Sequence, residues 1–332
     1  MTTLTTLSEL PSDYAIALTE NSVIKLQGEQ ADSYLHGQVT ININALDEHT
    51  VRHCAHCDNK GKTWSVSYVA RYNNALIMLM NKDSGQHSLT QLNKYGVFSK
   101  VDITDESSTY KQFFVNESLA HKVLIDYFDR LPEAPLTSVQ SDAGIVFKSD
   151  VKHPGYHVVM NATSADTLIQ KATACDCPIY AQCVFDAILI DSAIPSVEGV
   201  AINEYVPQMM NVQAINGIDF DKGCYMGQEV VARTRFLGKN KRAAYSFTLP
   251  MATKINVGDI VEKQLGTNWR RAGMVISKAE LINETWFMAV LSNDTSEQDI
   301  HRLANHEDIT CYPNSLPYSI EQAKSSLAKK RQ

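Results

Sequence analysis

The sequence predicts an α+β fold, in which ferredoxin-like units are followed by a small all-β domain. Strand–helix–strand successions recur in the first part of the chain, without the long parallel βαβ rhythm of a doubly wound sheet. After about residue 243 the pattern changes to short strand-like runs that are separated only by turn residues. The length of 332 residues is enough for two domains or three small ones.

The first segment predicts a strand pair, a helix, a three-stranded meander and a second helix. Alternating or apolar runs mark the strands, and apolar residues at helical spacing mark the helices. In chain order we expect strands at 14–19 and 22–27, a helix at 29–36, strands at 51–57, 63–71 and 75–80, a helix at 84–95 and a strand at 97–103.

The remaining elements divide at about residue 243. Before that point we expect a strand at 111–115, a helix at 117–128, strands at 145–148 and 157–160, and helices at 165–174 and 180–192. After it we expect short strands at 244–249, 260–263, 271–277 and 285–291. Turn residues such as Gly258 and Gly266 separate these last strands, which favours a small barrel.

The charge of the chain argues against a protein that binds nucleic acid over its whole surface. Thirty basic and 37 acidic residues give a net charge of −7. Proteins that wrap DNA or RNA without sequence preference are usually strongly basic. A local basic patch is still compatible with this balance.

The termini and the cysteines predict a cytoplasmic protein with no membrane partner. No lysine or arginine precedes Lys25, so the basic region of a secretory or mitochondrial leader is missing. The longest apolar runs are only strand-sized, well short of the roughly 20 residues that span a bilayer. The seven cysteines are an odd number and argue against a disulfide framework.

The densest motif is Lys-Gly-Cys-Tyr-Met-Gly-Gln-Glu at residues 222–229. Two glycines flank Cys224 within five residues, which predicts a tight loop rather than a regular helix. Such a loop can present the thiol, and the neighbouring charge of Lys222 favours the thiolate. Gln228 and Glu229 offer an amide and a carboxylate for recognition. The alternative is a turn that carries a half-buried cysteine.

A basic segment surrounds this motif in an otherwise acidic chain. Between residues 221 and 242 there are six basic and two acidic residues, a local balance of +4. The basic residues are Lys222, Arg233, Arg235, Lys239, Lys241 and Arg242. Such a segment suits a carboxylate tail, a phosphate or a short stretch of RNA. The alternative is a solvated linker between domains.

Four side chains that could bind a metal lie close together at residues 53–57, in the sequence His-Cys-Ala-His-Cys. Because alternate residues of a strand face opposite ways, His53 and Cys57 share one face, while Cys54 and His56 share the other. A structural zinc site also needs a second ligand pair at a suitable spacing, which the chain lacks. We therefore expect no metal here, but a strand end that leads into the turn at 58–61.

The loop at 222–229 resembles the signature Lys-Gly-Cys-Tyr-x-Gly-Gln-Glu of the YgfZ family, and it matches at every fixed position. The resemblance extends through most of the chain. Further matching segments lie at 56–62, 97–101, 207–208 with Asn211, 240–242 and 268–271.

This resemblance implies the fold of the glycine-cleavage T-protein, an aminomethyltransferase. In that fold three domains form a ring around a central channel that holds tetrahydrofolate. It implies a discontinuous folate-binding domain at 1–110 with part of 180–240, a ferredoxin-like domain at 111–180 and a C-terminal β-barrel at 243–325.

The resemblance also implies the function of a folate-binding accessory protein. Members of the family support the assembly or repair of iron–sulfur enzymes, including one that methylthiolates tRNA. The implied ligand is tetrahydrofolate or a one-carbon derivative, and the implied partners are iron–sulfur client enzymes. Direct contact with tRNA through the basic segment is a further alternative, against which the acidic charge of the whole chain counts.

The implied site residues are Cys224, as the functional thiol, and a set of folate-binding positions. The expected folate-binding residues are Asn21, Phe185, Lys222, Gly223, Tyr225, Gly227, Gln228, Glu229, Arg233 and Arg242. A flat pterin suits an apolar and aromatic pocket, and its anionic glutamate tail suits a basic rim.

Two departures from the family pattern bear on this prediction. The family's folate pocket uses two tryptophans, whose equivalents here are Asn21 and Phe185, so pterin stacking is expected to be weaker. The aminomethyltransferases carry an acidic residue in the strand after the glycine turn, and the stretch at 63–66 has none. This lack of a general base counts against the alternative function, a tetrahydrofolate-dependent one-carbon or aminomethyl transferase.

Overall fold

The computed structural model of the chain describes residues 2–236 and 240–320. Its strands are β1 (Ala15–Ala17), β2 (Asn21–Gln27), β3 (Arg52–Cys57), β4 (Thr63–Tyr72), β5 (Ala75–Asn81), β6 (Asp102–Asp105), β7 (Tyr110–Asn116), β8 (Ser138–Ser141), β9 (Gly144–Lys148), β10 (Gly155–Asn161), β11 (Ile179–Tyr180), β12 (Arg242–Leu249), β13 (Ile260–Leu265), β14 (Asn268–Glu280), β15 (Thr285–Ser292), β16 (His301–Leu303) and β17 (His306–Cys311).

Six α-helices connect these strands within the described residues. They are α1 (Ala31–His36), α2 (Lys82–Gly96), α3 (Glu117–Val123), α4 (Ala162–Ala174), α5 (Gln182–Asp191) and α6 (Gln228–Phe236). In the part of the chain that the structure describes, we find no helix with the length and apolar character to cross a membrane.

Three helices begin in the same way, directly after a strand that ends in asparagine. The side chains of Asn81, Asn116 and Asn161 each accept a hydrogen bond from a backbone N–H of the first helical turn. Asparagine is among the best residues at this position, and each such cap is worth about 1 kcal/mol. The change from strand to helix is therefore encoded locally at α2, α3 and α4.

The first sheet has the order β3-β4-β5-β2-β6 and is antiparallel throughout. One face is covered by α1 and α2, and Leu35 and Leu92 of these helices are fully buried in that core. The other face packs against the second sheet, where Tyr68 and Leu79 meet Phe147. The two sheets are therefore layered with helices outside.

The second sheet has the order β11-β1-β7-β10-β9-β8. Its outer face is covered by α3 and α4. Strand β1 lies between β7, to which it is antiparallel, and β11, to which it is parallel. The beginning of the chain thus belongs to a sheet whose other strands come from residues 110–180. The predicted domain division, which assigns residues 1–110 to one domain, remains a prediction.

The third sheet is six-stranded and antiparallel, in the order β12-β15-β14-β13-β16-β17. A bridge between Phe247 of β12 and Pro313 brings the chain after β17 back to the first strand. Its core is apolar and includes the stacked rings of Phe247 and Phe287. Residues 321–325 of the predicted barrel domain lie outside the described residues.

Helix α5 lies at the junction of the second and third sheets. It packs against β1 on one side and against β12, β14 and β15 on the other. Its residues Val184, Phe185 and Ile188 are fully buried in the largest core of the molecule. This helix is apolar on nearly every side, and Asp186 is the one carboxylate within its apolar stretch.

Most predicted elements are present, but one predicted strand was wrong and one predicted helix is shorter than expected. The predicted strand at 97–103 is a turn after α2, and strand β6 begins only at Asp102. The predicted helix at 180–192 is present as α5, and the predicted helix at 117–128 is present as the shorter α3, which ends at Val123. Strands β8, β16 and β17 were not predicted.

Candidate functional site

A central cavity lies beside α5, between that helix, the ends of β2 and β5, and β14. Its outer chamber has a volume of about 430 Å³. An inner recess of about 50 Å³ adjoins it. Both parts are lined by Asn81, Asp186, Leu189, Ile194 and Ser196, so they form one cavity with a wide outer and a narrow inner part.

The outer chamber is acidic. Its charged lining residues are Glu20, Asp83, Asp186, Glu198, Glu280, Lys82 and Lys278. Both lysines are paired with carboxylates, Lys82 with Glu20 at 3.8 Å and Lys278 with Glu280 at 2.7 Å. Burial raises the pKa of Glu198 above its usual value. The chamber therefore favours groups that donate hydrogen bonds over anions.

Asp186 is the most perturbed carboxyl group of the cavity. Burial raises its pKa from 3.8 to about 7, and the charges of Glu198 and Glu20 act in the same direction. Gln182, one turn earlier on α5, donates a hydrogen bond of 2.9 Å to one carboxylate oxygen. A strongly shifted carboxyl group in a cavity is a marker of a functional site. The sequence prediction missed this residue, although a carboxylate within the apolar run of a helix was a visible signal.

Asn21 and Phe185, the two positions predicted from the family's tryptophans, both line the inner recess. The Asn21 side chain accepts a hydrogen bond of 3.3 Å from Gln182, which also holds Asp186. Phe185 is only 1% exposed and packs against Phe114 and His157, so little of its ring faces the cavity. The structure thus brings these two predicted residues together and adds Asp186 to them.

A histidine–aspartate pair lies at the recess, with a buried histidine and a partly exposed aspartate. His53 of β3 lies 2.7 Å from Asp150, measured from Nε2 to Oδ2, and its side chain is 1% exposed. The hydroxyl of Tyr68 donates to the other carboxylate oxygen at 3.3 Å. His53, Tyr68 and His157 line the recess. Asp150 is 97 residues from His53 along the chain, and sequence reasoning did not find the pair.

The predicted functional thiol, Cys224, is exposed. Its loop is held by a hydrogen bond of 3.0 Å from the Met226 N–H to the Gly37 carbonyl at the end of α1. Gly227 has a φ of 80°, and a Cβ there would lie 2.5 Å from the carbonyl oxygen of Asp58. The loop is therefore locked against the turn at 58–61, as the predicted tight glycine loop requires. Among the described residues that line the two parts of the cavity, none comes from 222–229.

The Lys222 side chain has its own hydrogen-bond partners inside the protein. Its ammonium group is turned into the protein and donates to the carbonyls of His36 and Val39, the latter at 2.7 Å. It also lies 4.7 Å from the centre of the Tyr225 ring. Burial lowers the pKa of Lys222 to about 8. Two backbone acceptors and an aromatic face hold this lysine as an anchor beneath the loop.

The other predicted loop residues have structural or surface positions. Gly223 is exposed and Tyr225 is buried. Gln228 donates a long hydrogen bond of 3.4 Å to the Lys222 carbonyl. Glu229 and Arg233 are exposed on α6 and form a pair at 3.4 Å.

The predicted basic rim is distributed over the surface. Arg242 lines a separate cleft of about 340 Å³ together with Arg271 and Tyr205. Lys239 lies outside the described residues. The predicted site residues therefore fall into three groups: the cavity, the Cys224 loop with α6, and the arginine cleft.

The His-Cys-Ala-His-Cys stretch lies on β3, and its side chains alternate as expected. Cys57 faces the largest core and Cys54 the core under α1 and α2. His56 bonds to Ser88 of α2, and His53 to Asp150. In the described ranges no group of three or more histidine, cysteine or carboxylate side chains is placed to hold a metal ion.

The C-terminal part of the chain matches the model of a known family. Residues 240–306 match the family model described as YgfZ, beta-barrel domain. That range includes strands β12 to β16, so the predicted C-terminal barrel is confirmed.

Similar proteins extend the match to nearly the full chain. A protein of Colwellia psychrerythraea named tRNA-modifying protein YgfZ is 34% identical over 318 residues, which are 96% of this chain and 97% of that protein. A protein of Yersinia enterocolitica with the same name is 34% identical over 324 residues, covering 97% of each.

Among solved structures, the fold is similar to that of aminomethyltransferase T of the glycine cleavage system from Bartonella henselae. The TM-score is 0.66 at 13% sequence identity, with 95% of this chain and 89% of that one covered. This likeness concerns the fold alone, and it confirms the predicted aminomethyltransferase-type α+β architecture.

Proposed function

This chain is a member of the YgfZ family, and from that premise we propose that it is a folate-binding accessory protein for iron–sulfur enzymes. Its clients would include enzymes that modify tRNA by methylthiolation. The observation that carries the proposal is the central cavity, in which the buried Asp186 lies beside the two positions expected to contact a pterin.

The cavity suits the pterin end of a folate. Its outer volume of about 430 Å³ lies within the range of about 300–1,000 Å³ that is usual for small-molecule sites. A pterin presents neighbouring N–H groups on one edge, and a carboxylate such as Asp186 accepts such bonds when it is ionised. A charge-assisted hydrogen bond of this kind would favour the ionised form and offset the cost of burying it.

The acidic character of the outer chamber bears on the orientation of the ligand. The glutamate tail of a folate is anionic and would be repelled by Asp83, Asp186 and Glu198. We therefore expect the pterin to lie inside and the tail to extend toward solvent. Folate would supply any one-carbon chemistry, and the protein would bind and orient it.

The Cys224 loop supports a separate role in contact with clients. The thiol is exposed, and the loop that carries it is anchored by Lys222 and Gly227. An exposed thiol on a rigid loop can reach a partner without an opening motion. We propose that Cys224 acts on, or contacts, a client protein.

The transferase alternative is less well supported. Residues 63–66, where a carboxylate base would be expected, are Thr-Trp-Ser-Val and are all buried. Steady turnover of methylene-tetrahydrofolate with an amine or tRNA acceptor, in the absence of an iron–sulfur partner, would favour that alternative instead.

Folate binding is tested by titrating the purified chain with a reduced folate in a calorimeter. We expect Asp186→Asn to weaken binding by about 10- to 100-fold, the worth of a hydrogen bond to a charged group. Asp191→Asn is the matched control, because this residue lies on the same helix but bonds to Lys152 outside the cavity. Asn21→Trp should tighten binding by restoring an aromatic face. Binding that is unaffected by Asp186→Asn would contradict the assignment of this cavity.

The role of the thiol is tested in a strain that lacks the protein. Cys224→Ser should fail to support the methylthiolated tRNA base, while Cys175→Ser, a second exposed cysteine, should support it fully. Full support by Cys224→Ser would show that the thiol is dispensable.

A further inference from the structure

The arginine cleft lies on the surface where β12 and β14 of the third sheet meet the segment at 204–209. Its volume is about 340 Å³. Arg242 begins β12 and Arg271 lies in β14, and both side chains are exposed. Among the described residues that line the cleft, none also lines the central cavity. The cleft is therefore a separate site, which the proposed function does not use.

The two arginines of the cleft are not paired with carboxylates. Four other arginines each form an ion pair with an aspartate or a glutamate, namely Arg52, Arg71, Arg233 and Arg302. Within the described ranges, the guanidinium groups of Arg242 and Arg271 have no such partner and donate no hydrogen bond. Glu262 lies opposite Arg271 in the sheet, but its carboxylate accepts a bond of 2.8 Å from Arg302. The N–H donors of both arginines are thus free to bind a ligand.

Tyr205 brings a hydroxyl group to the same cleft. Burial raises the pKa of Tyr205, while the charges of Arg242 and Arg271 act in the opposite direction because both guanidinium groups lie near the hydroxyl. The backbone here is fixed by β4. The Tyr205 carbonyl accepts a bond of 2.8 Å from the N–H of Thr63, and the N–H of Asn203 donates to the Thr63 carbonyl at 2.8 Å. The hydroxyl is therefore a neutral donor on a fixed wall.

The remaining lining residues give the cleft an apolar wall and one acid. Met209, Ala272 and Met274 form the apolar wall. Glu204 is the one acid among the described lining residues, and it is exposed. Two arginines against one glutamate leave a formal charge of +1, in a chain whose net charge is −7. A local positive charge on an acidic protein attracts an anion, and the apolar wall suits the carbon part of such a ligand.

We propose that the arginine cleft binds a phosphate monoester, with Arg242, Arg271 and Tyr205 as its ligand-contacting residues. A guanidinium group presents a planar fork of N–H donors that matches two oxygens of an anion. A carboxylate has only two oxygens, so one fork satisfies it. The three terminal oxygens of a phosphate monoester can engage both forks and the tyrosine hydroxyl. The volume lies within the range of about 300–1,000 Å³ for small-molecule sites, which leaves room for the organic part of the ester.

Two sources present this chemical group. One is a free nucleoside monophosphate, and the other is the 5′-phosphorylated end of an RNA. The probes are therefore uridine 5′-monophosphate, uridine, and an oligouridylate with and without its 5′-phosphate. The full chain is titrated with each probe at about 0.15 M salt, which screens attraction between distant surface charges.

The variants separate recognition by the cleft from attraction by the whole surface. Arg242→Gln and Arg271→Gln remove the charge and the fork, whereas Arg242→Lys keeps the charge alone. Arg130→Gln is the matched control. Arg130 is also exposed and, in the part of the chain that the structure describes, has no carboxylate partner, but it lies outside the cleft.

We expect the wild type to bind uridine 5′-monophosphate and not uridine. Arg242→Gln and Arg271→Gln should each weaken binding about tenfold, which is the worth of a hydrogen bond to a charged group. Arg242→Lys should recover only part of this loss. Glu204→Gln should tighten binding about twofold by removing a like charge, and Arg130→Gln should leave binding unchanged.

The oligouridylate identifies the source of the phosphate. If it binds more tightly than the mononucleotide and loses this gain without its 5′-phosphate, the ligand is the end of an RNA. If its affinity equals that of the mononucleotide, the cleft recognises the nucleotide alone. Either result supports a phosphate site.

Four results would overturn the inference. If neither phosphorylated probe binds, the cleft is not a phosphate site. If uridine binds as well as its monophosphate, the phosphate is not recognised. If Arg130→Gln weakens binding as much as the cleft variants, the attraction belongs to the whole surface. If 5-formyltetrahydrofolate displaces the mononucleotide, the cleft holds the anionic tail of a folate and is part of the proposed folate site.

Discussion

Replacing Asp186 by asparagine should make the protein more stable at neutral pH, although it should harm ligand binding. The pKa of Asp186 is raised from 3.8 to about 7 by burial. Between about pH 4 and about pH 7 the folded chain keeps a proton that the unfolded chain has lost, so stability falls as the pH rises through that range. Above about pH 7 the loss of stability caused by the ionised Asp186 has reached its full size.

The size of this effect follows from the shift. A rise of about three in a pKa corresponds to about 4 kcal/mol of lost stability. Asp186 retains some access to the cavity and accepts a hydrogen bond from Gln182, so water and the amide offset part of this cost. We therefore expect Asp186→Asn to raise the free energy of unfolding by about 2 kcal/mol at pH 8, and by less than about 1 kcal/mol at pH 5.

Urea unfolding at about pH 5 and about pH 8 measures this difference. Asp191→Asn provides a control of opposite sign on the same helix. Although burial opposes it, bonds with His153 and Lys152 lower the pKa of Asp191, so its replacement should destabilise the chain at pH 8. Equal stability of the wild type and Asp186→Asn at both pH values would refute the argument that burying the ionised carboxyl group lowers the stability of the fold.

Two further predictions concern the Cys224 loop. Lys222→Met should lower the free energy of unfolding by about 1–3 kcal/mol, because two buried carbonyls lose their donor. The Cys224 thiol of this variant should react with an aromatic disulfide at a rate within about twofold of the wild-type rate. A tenfold slower reaction would show that Lys222 activates the thiol. Gly227→Ala should cost at least about 3 kcal/mol, since a Cβ would meet the carbonyl oxygen of Asp58 at a positive φ. Gly266→Ala, also at positive φ but with open space around it, should cost only about 1 kcal/mol in the same denaturation assay.

The elements that could be predicted from the sequence are those encoded over a few residues. The glycine loop around Cys224 and the alternation of side chains along β3 follow from local stereochemistry. The wrong strand at 97–103 shows the limit of the same reasoning. Val97 and Phe98 favour strands by type, but Phe98 is 99% exposed in a turn, and only Asp102 and Ile103 of this segment pair with β2. The position of the strand in this segment is set by pairing with β2, which is distant in the chain, and not by the local preference of its residues.

The site depends on contacts between residues that are far apart in the chain. His53 and Asp150 are separated by 97 residues, and Lys222 and His36 by 186. Neither pair leaves a signal in sequence spacing, so the acid–base pair and the backbone partners of this lysine were not predicted. The family resemblance did place Asn21 and Phe185 in one cavity, because it carries information about the tertiary fold that spacing does not.

The position of β1 between β7 and β11 sets an order of events during synthesis. Residues 15–17 leave the ribosome early, but their parallel partner at Ile179 follows about 160 residues later. At translation rates of about 5–20 residues per second, this strand waits roughly 8–30 s for its second neighbour. The first sheet can close in that interval, since its strands all come from residues 21–105. Nascent chains shorter than about 180 residues therefore carry, near their beginning, a strand with at least one unpaired edge, which is a natural binding site for a chaperone.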